Sequence, residues 1–532
     1  MTAWRAAVVA AGAVAALLAG VRWLRVAQRE HYLPGSVFRF GLRWWGRDPG
    51  NGAAALVALA GLALTWKWPP AGLATAVVVA AGPPGLGLRG RTSPLAWTRR
   101  VETLAAVSFA LVVVALVLAV LTGVGPVVAA GVALAVPLLI DLSLVITGPF
   151  ERAVARTHVD KARRRLARVG PTVVAITGSY GKTSTKGYLA HLVAGSRTVV
   201  ASPASFNNRA GLARAVNENL AEGTQVFVAE MGTYGPGEIA DLCSWLPPDI
   251  AVITAIGPVH LERFGSEDRI VAAKAEILEK AQTVVLNIDD RRLEVLADGA
   301  EEKGKKVRRV ATLMPGDSAD LCRGGVCVRD DLDGLTLFID GTEVARLAAG
   351  PRAGNVASAV AVALELGIPV AEIVSRVGSL PAVPHRLESV SADGGFLVLD
   401  DTYNANPAGA RAALHALKRG GNESSRRVVV TPGMVELGPR QAEENSRFGR
   451  AVAEVADDLV VVGRTNRRAL LAGARSPGEG AGLLGYEGRT SKGGPLHCVV
   501  VEHRPEAVAW VRDHLGAGDV VLYENDLPDH YP

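Results

Sequence analysis

The apolar stretches of residues 1–150 constrain the fold of this chain more than any other feature. The sequence is 49% hydrophobic with a mean hydropathy of +0.24, and the excess lies in this region. The stretches are residues 6–21, 52–66, 71–88, 105–124 and 126–146, and the last two have the roughly 20-residue length that crosses a bilayer. The second and third are short enough to form a tight hairpin instead, and Asp141 could end the fifth span early. We predict a helical transmembrane region of about five spans over residues 1–150.

Clusters of arginine indicate which side of the membrane the rest of the chain occupies. They lie within residues 22–47, 89–100 and 152–168, whereas residues 66–71 carry only Lys67 and residues 122–126 carry no charge. If all the stretches cross, the arginine-rich segments fall on one side, which the positive-inside rule makes cytoplasmic. The expected location is therefore the cell membrane, multi-pass, with the catalytic domains on the cytoplasmic side.

The remaining composition excludes several classes of protein. The net charge is only +5, and basic residues beside apolar spans indicate a membrane face, so no nucleic acid partner is expected. The cysteines, Cys243, Cys322, Cys327 and Cys498, lack the spacing of a zinc site. Sparse, unpatterned cysteine is typical of a reducing compartment. A cleaved signal peptide is a poor alternative, because apolar segments continue beyond the first one.

From residue 171 the pattern changes to short β-branched runs that alternate with longer helical stretches. Apparent strands lie at residues 173–177, 198–201, 226–229, 251–255 and 283–287, and a second series lies at residues 396–399, 427–431, 459–462, 498–501 and 520–522. Such alternation is typical of parallel strands with crossover helices. We predict an α/β fold with a P-loop parallel-sheet ATPase domain over residues 165–385 and a Rossmann-like C-terminal domain over residues 386–532. A small β excursion is expected around residues 335–339.

A strand, a glycine-containing loop and a helix start follow one another in VVAITGSYGKTS, residues 173–184. The glycines let backbone N–H groups approach phosphate oxygens, and the helix N-terminus adds positive potential. Lys182 supplies a charge for the β- and γ-phosphates, and the Thr183 hydroxyl is placed to reach Mg²⁺. In the longer GxxxxGK[ST] pattern the first glycine would stand at Ile176, so this loop is a shorter form. The segment predicts an ATP site.

Further motifs follow this loop along the chain. With the loop they are, in chain order, TGSYGKTSTK (177–186), SFNN (205–208) with Gly211, EMG (230–232), IGPVHLERFGS (256–266), AKAEI (273–277), Asn355, DDTYNANP (400–407) and GMVELG (433–438). Together these segments resemble the Mur ligases, in particular their MurF branch. The resemblance implies an ATP-dependent amide ligase. In such enzymes the γ-phosphoryl group activates a carboxylate as an acyl phosphate, which an amine then attacks. It also implies a role in peptidoglycan precursor synthesis for the cell wall.

The resemblance further implies roles for individual residues. It assigns catalysis to Lys182, His260 and Lys274. It assigns ATP binding to Gly178, Ser179, Gly181, Lys182, Thr183, Ser184, Asn355, Arg386 and Asp401. A first and a second Mg²⁺ are assigned to Thr183, Glu230, His260 and Lys274, with Lys274 made anionic by carbamylation with CO₂. Substrate contacts are assigned to Asn207, Asn208 and Asn404.

Each of these residue types also has an ordinary structural role. A lone glutamate at a strand end is usually a surface residue, although Glu230 at the carboxyl edge of a sheet suits a hard cation. His260 alone would be an ordinary loop histidine, and Lys274 a solvated helix lysine. Arg386 is equally suited to an interdomain salt bridge, and Asn404 to capping a turn. Because Lys182 and Asp401 belong to different domains, the domains are expected to close on ATP.

Several positions depart from the family pattern and leave the substrate open. Apolar spans stand where the MurF branch has its UDP-sugar-binding domain, and the end of the chain lacks that branch's KGSR-like sequence. Ser205, Ala255 and Gly354 stand where the family has asparagine, asparagine and histidine. The expected substrate is a peptide or amino acid, either lipid-linked or UDP-linked. A polymer-forming ligase of the poly-γ-glutamate type and a non-catalytic ATP-binding membrane scaffold are the alternatives.

Overall fold

In a computed structural model of the chain, two compact units are formed, one within Met1–Arg156 and the other within Thr157–Asp526. The structure describes residues 3–47, 49–88, 95–203, 206–331, 334–348, 352–382, 387–392, 394–402, 405–475 and 496–525.

The first unit is helical. Its helices are α1 (Ala3–Arg29), α2 (Ser36–Arg47), α3 (Pro49–Thr65), α4 (Gly72–Ala81), α5 (Arg99–Leu121) and α6 (Gly125–Val169), the last of which continues beyond residue 156. By length and composition, α1, α5 and α6 are the 3 helices in the described residues that could cross a membrane. The short α3 and α4 are apolar as well, and Thr75 of α4 donates a hydrogen bond of 2.8 Å to the carbonyl of Ala58 in α3. That contact fits the hairpin alternative for the second and third apolar stretches.

Two buried charged side chains in this unit form hydrogen bonds with backbone groups at helix ends. Asp141 accepts hydrogen bonds from the N–H groups of Gly35 and Phe38, each at 2.8 Å, and thereby satisfies the N-terminus of α2. Arg22 donates to the carbonyls of Ala80, Ala81 and Leu86, at and beyond the C-terminus of α4. The helix α6 runs through Asp141 without a break, so this residue does not end the helix.

The N-terminal part of the second unit contains a nine-stranded sheet in the order β2-β3-β1-β4-β5-β6-β7-β8-β9. Its strands are β1 (Thr172–Thr177), β2 (Val199–Ala201), β3 (Val226–Glu230), β4 (Ile250–Ile253), β5 (Thr283–Asn287), β6 (Lys306–Leu313), β7 (Val326–Asp331), β8 (Gly334–Ile339) and β9 (Thr342–Leu347). The strands from β2 to β7 in this order pair in parallel, and β8 and β9 pair antiparallel, which is the predicted β excursion.

Helices cover both faces of this sheet, as parallel strands require. They are α7 (Lys182–Val193), α8 (Arg209–Asn219), α9 (Glu238–Trp245), α10 (Leu261–Phe264), α11 (Glu267–Ala275), α12 (Arg291–Glu302), α13 (Ala353–Glu365) and α14 (Val370–Val377). The β-branched strands β1, β3 and β4 are buried along their length, and separate apolar cores form on the two faces. Val159, Ala162 and Leu166 of α6 belong to one of these cores.

The C-terminal part of the second unit contains a six-stranded sheet in the order β10-β11-β15-β12-β13-β14. Its strands are β10 (Glu388–Ser391), β11 (Leu397–Asp401), β12 (Arg427–Thr431), β13 (Asp458–Val462), β14 (His497–Val501) and β15 (Val520–Glu524), and its helices are α15 (Pro407–Arg419), α16 (Gln441–Val455), α17 (Arg467–Arg475) and α18 (Arg504–His514). Apart from the edge strand β10, all strands pair in parallel, so their carboxyl ends meet at one edge of the sheet.

The structure joins Cys322 and Cys327 in a disulfide, with their Cα atoms 5.7 Å apart. The sequence pattern did not predict this bond. The sparse cysteines were expected to be reduced thiols, as in a reducing compartment. Cys243 and Cys498 are free thiols.

Candidate active site

The phosphate-binding loop lies between β1 and α7, at the carboxyl edge of the larger sheet. Gly178 and Gly181 have φ angles of 151° and 83°, which glycine adopts without strain. A Cβ atom on Gly181 would lie 2.2 Å from Oδ1 of Asn355, and one on Gly178 would lie 2.1 Å from Oγ1 of Thr254. Only glycine therefore fits at either position. The N–H groups in the first turn of α7 have no intrahelical acceptor, which leaves positive potential for phosphate.

Other residues of this loop are held by the neighbouring strand β4 and the segment that follows it. The backbone N–H of Ser179 donates to the carbonyl of Ala255 at 2.7 Å, and the Ser179 hydroxyl donates to the carbonyl of Gly257 at 3.1 Å. The ammonium of Lys182 donates to the Gly178 carbonyl at 2.8 Å. Ser184 is buried in the first turn of α7. These hydrogen bonds fix the shape of the loop and hold the Lys182 ammonium against its backbone.

A buried cluster of oxygen and nitrogen atoms adjoins the loop at the end of β3. The Thr183 hydroxyl donates to Oε2 of Glu230 at 3.0 Å, and the Lys186 ammonium donates to the same oxygen at 3.0 Å. The Lys186 and Glu230 side chains are only 6% and 4% exposed. The predicted ligands Thr183 and Glu230 therefore do lie together. Lys186, in the same sequence segment, completes the cluster and was not among the predicted site residues.

Lys274 lies buried in the last turn of α11. Burial, and then the positive charge of Lys182, hold the pKa of the Lys274 amine well below its usual range. The two lysines that sequence reasoning assigned to catalysis therefore influence each other electrostatically. Lys274 is therefore not the solvated helix lysine that its residue type alone would suggest.

His260 stands between the two halves of the unit. Its Nδ1 atom is paired with a carboxylate oxygen of Glu436, which lies in the loop after β12. The ring of Tyr234, in the segment that follows Glu230, meets the His260 ring edge-on with centroids 4.8 Å apart. The sequence placed His260 in the site but did not identify Glu436 as its partner, because the two residues are far apart in the chain.

Asp401 faces the N-terminus of α13 from the end of β11. Its carboxylate accepts hydrogen bonds from Arg352 at 3.3 Å and from the Leu387 N–H at 3.2 Å. Arg352 is the N-cap residue of α13, and Asn355, one turn further, lies against the phosphate-binding loop. The structure thus brings Asn355 and Asp401 to the same region, with Arg352 between the two domains.

Glu524, at the end of β15, is paired in register with Asp401 and is fully buried. Within the described part of the chain, neither of its carboxylate oxygens has a hydrogen-bond partner. Burial and then the charge of Asp401 raise the pKa of Glu524 far above its usual range, against a smaller opposing effect of Arg352. The sequence pattern had no signal for this residue beyond the departure from the family's C-terminal motif.

The residues predicted to contact the substrate differ in where the structure places them. Asn207 lies against Gly232, whose N–H donates to the Asn207 carbonyl at 2.8 Å. The side chain of Asn208 accepts a hydrogen bond from Gly211 at 2.9 Å and caps α8, a structural task. Arg386 and Asn404, like Ser205, lie outside the described residues.

The oxygen atoms of Thr183 and Glu230 form the part of the site that suits magnesium. Thr183 and Glu230 offer oxygen ligands, which hard cations prefer, next to a loop built for phosphate. In the described residues no group of three or more His, Cys, Asp or Glu side chains is arranged to hold a metal. That is compatible with Mg²⁺, which is usually held by one or two carboxylates together with substrate phosphates. Lys274 as an ammonium does not fit a cation, whereas its carbamate would.

Comparison with known proteins supports the resemblance to the Mur ligases. Residues 176–324 match the Mur ligase middle domain, and residues 385–523 match the Mur ligase glutamate ligase domain. Over 379 residues the chain is 34% identical to UDP-N-acetylmuramoyl-tripeptide–D-alanyl-D-alanine ligase of Mycobacterium leprae, covering 66% of this chain and 70% of that protein.

Solved structures agree with this match. MurF from Acinetobacter baumannii is 25% identical with a TM-score of 0.57, over 70% of this chain and 77% of that one. MurF from Thermotoga maritima, in complex with ADP, has the same identity and TM-score, over 70% of this chain and 80% of that one.

The fold, the phosphate-binding loop and these relatives define an ATP-dependent ligase that forms C–N bonds. The chain belongs to the Mur ligase family. The matched regions begin at residue 176, after the helices of the first unit. None of the relatives described above supports a polymer-forming ligase or a non-catalytic scaffold.

Proposed function

We propose that this chain is a membrane-anchored, MurF-like ligase that joins the amine of an amino acid or dipeptide to the carboxylate of a peptidoglycan precursor. The observation that carries the proposal is the cluster of Thr183, Lys186 and Glu230 against the phosphate-binding loop, in a chain 34% identical to a ligase with that substrate in its name. The name of this relative supports a peptidoglycan precursor as the substrate, and the cluster supports the ATP-dependent step.

The proposed reaction has two steps. In the first, a carboxylate oxygen of the acceptor forms a bond to the γ-phosphorus of ATP, the bond from that phosphorus to the bridging oxygen breaks, and ADP leaves. In the second, the amine nitrogen attacks the acyl carbon, a C–N bond forms, the C–O bond to phosphate breaks, and the nitrogen loses a proton. The chain contributes positioning and charge neutralisation rather than a covalent intermediate.

The residues of the loop have distinct tasks in the first step. Lys182 and the N-terminus of α7 neutralise the charge that develops on the γ-phosphoryl group and on ADP. Glu230 and Thr183 would hold Mg²⁺, which supplies further neutralisation of the phosphate oxygens when bound. We assign to Asp401, which Arg352 and the Leu387 N–H hold in place, a hydrogen bond from the nucleotide ribose, and to Asn355 a contact with the base.

We assign Lys274 the role of a carbamate. The ammonium first loses a proton to solvent. The neutral amine then attacks CO₂, an N–C bond forms as one C=O bond becomes C–O⁻, and the nitrogen releases a second proton to solvent, so that a cation has become an anion. The lowered pKa of Lys274 supports this step, because only the neutral amine is nucleophilic. An anion next to Lys182 would also remove the repulsion between the two lysines.

The first unit anchors the enzyme in this proposal and presents a lipid-linked acceptor. Its helices α1, α5 and α6 are apolar enough to cross a bilayer, and the residues assigned to ATP and Mg²⁺ all lie from Gly178 onward. Confinement at the membrane raises the effective concentration of a lipid-linked acceptor without any new contact. A tether that acts on a soluble UDP-linked peptide is the alternative.

Product analysis tests the chemical part of the proposal. The full chain in detergent or nanodiscs is incubated with ATP, Mg²⁺ and a library of muramyl peptides and dipeptides, and products are identified by mass spectrometry. The proposal predicts an acceptor whose mass increases by that of the amine minus water. A wild-type chain that hydrolyses ATP but yields no amide with any member of the library would contradict it.

Truncation tests the membrane part. Because Val159, Ala162 and Leu166 pack in the core of the second unit, the truncation should begin at Thr157 rather than further along α6. The shortened chain and the full chain in membranes are compared on UDP-linked and lipid-linked acceptors. We expect the shortened chain to lose efficiency selectively on the lipid-linked acceptor. Equal efficiency of both chains on both acceptors would show that the first unit does not present the substrate.

A further inference from the structure

The ammonium of Lys186 occupies one oxygen of the carboxylate that we assign to Mg²⁺. Its Nζ atom donates to Oε2 of Glu230 at 3.0 Å, and the Thr183 hydroxyl donates to the same oxygen at 3.0 Å. We infer that Lys186 is a built-in counter-cation that lowers the affinity of Glu230 for free divalent metal, so that Mg²⁺ binds there together with the nucleotide rather than before it. This inference rests on the proposed function, because it takes Thr183 and Glu230 to be the magnesium ligands.

Burial holds Lys186 and Glu230 together. Their side chains are 6% and 4% exposed, and the Glu230 N–H donates to the Ser202 hydroxyl at 3.1 Å, which fixes the end of β3. Lys186 lies three residues after Thr183 and four after Lys182 in α7, so all three share one face of the helix. Withdrawal of the ammonium would leave the buried carboxylate with the Thr183 hydroxyl as its remaining donor among the described residues.

The second oxygen of Glu230 is the one that a metal would take. The Oε1 atom accepts no hydrogen bond from the described residues, whereas Oε2 accepts two. The Thr183 hydroxyl directs its proton to Oε2 and so keeps its lone pairs for a cation. A metal held by these two residues would lie beside the Lys186 ammonium, and the two positive charges would repel each other.

The charges around the phosphate-binding loop favour an anion over a free cation. The Lys182 ammonium lies against the Gly178 carbonyl, and the N-terminus of α7 adds positive potential. Even when Lys274 is counted as a carbamate, no net negative charge is carried by the four ionisable side chains Lys182, Lys186, Glu230 and Lys274. A divalent cation alone would therefore add uncompensated positive charge, whereas a polyphosphate brings the negative charge that offsets it.

Variants of Lys186 separate its charge from its hydrogen bond. Lys186→Met removes both, and Lys186→Gln removes the charge but keeps an N–H donor for Glu230. If Lys186→Met does not fold, Lys186→Gln carries the same test. Glu230→Gln locates the metal, because it removes the carboxylate. The control is Arg214→Met, which removes a positive charge from the exposed pair of Arg214 and Glu218 on α8.

The test measures metal binding directly, apart from turnover. Binding of Mn²⁺ to the full chain in nanodiscs of zwitterionic lipid is followed by the electron paramagnetic resonance signal of free Mn²⁺. The titration is made without nucleotide and with a non-hydrolysable ATP analogue, and protein-free samples account for metal held by the analogue alone.

Without nucleotide, we expect Lys186→Met and Lys186→Gln to bind Mn²⁺ about 10- to 100-fold more tightly than wild type, since a neighbouring cation changes the proton affinity of a carboxylate by a similar factor. With the analogue, the difference should fall to within about threefold, because the phosphates offset the charge of Lys186. Arg214→Met should stay within about twofold of wild type in both titrations. Glu230→Gln should lose the site in both.

Several results would overturn the inference. Equal Mn²⁺ affinity of wild type and both Lys186 variants without nucleotide would remove the role of the lysine. Tightening in Lys186→Met but not in Lys186→Gln would assign the effect to the hydrogen bond rather than to the charge. A difference that persists unchanged with the analogue would show that Lys186 does not couple the metal to the nucleotide. Mn²⁺ binding by Glu230→Gln that equals wild type would place the metal elsewhere. Failure of the proposed function is distinguishable, because the wild-type chain would then form no amide whatever its metal affinity.

Discussion

Lys186 and Glu230 form a buried ion pair whose disruption should be costly. Their charged atoms are 3.0 Å apart, and the side chains are 6% and 4% exposed. Removal of one partner from a buried pair leaves an uncompensated charge and typically costs about 3–5 kcal/mol. Because the Thr183 hydroxyl would still donate to Glu230, we expect Lys186→Met to cost about 3 kcal/mol, at the lower end of that range.

Hydrogen exchange read by mass spectrometry can localise this loss to the peptides that cover α7 and β3. A destabilisation of about 3 kcal/mol corresponds to roughly a 100-fold increase in the opening equilibrium. The double variant Lys186→Met with Glu230→Met removes both charges and should recover most of the stability. The exposed pair of Arg214 and Glu218 on α8, 62% and 54% exposed, is the control, and Arg214→Met should cost only about 0.3–0.5 kcal/mol.

The reasoning fails if Lys186→Met and Arg214→Met give the same exchange. It also fails if the double variant is less stable than Lys186→Met alone, since the cost would then not come from an unpaired charge.

Two further predictions concern other buried groups. Lys274→Ala should be nearly inactive in ADP formation and partly rescued by short carboxylic acids, which supply the missing anion; full activity without rescue would exclude the carbamate. Glu524→Gln should be more stable than wild type at pH 8, by roughly 1–3 kcal/mol, because a buried carboxylate without a donor is removed. The pKa of Glu524 is raised in the folded chain, so its contribution to the free energy of unfolding is complete below the ordinary glutamate pKa and is lost as the pH rises. In acid, therefore, the wild-type chain should be as stable in urea unfolding as Glu524→Gln. An advantage that does not change with pH would refute this cause.

The elements that local sequence determines were predictable. The β-branched runs became parallel strands, and Gly178 and Gly181 form the predicted turn between β1 and α7. The strands and the loop depend on residue patterns that are visible in one sequence. That Thr183 and Glu230 act together was expected from the resemblance to the Mur ligases, and the structure brings them together because β1 and β3 are adjacent parallel strands that end at the same sheet edge.

Partners that come from distant parts of the chain were not predictable. Glu436 meets His260 and Arg352 meets Asp401 only because two domains dock, and no local pattern encodes the docking. The register that sets Glu524 beside Asp401 is likewise a property of the assembled sheet. The contact of Asp141 with the N-terminus of α2 likewise had no signal in the sequence, because only the fold brings the two together.

The central claim is that ATP cleavage on the phosphate-binding loop is coupled to amide formation. The most direct test is to quantify ADP and the amide product in the same Mg²⁺-containing reaction, with acceptor and amine present together or one at a time, for wild type and Lys182→Ala. The account predicts equal amounts of ADP and amide when both substrates are present, and a loss of at least about 100-fold of both in Lys182→Ala. Amide formation without ADP, or unchanged turnover in Lys182→Ala, would contradict it.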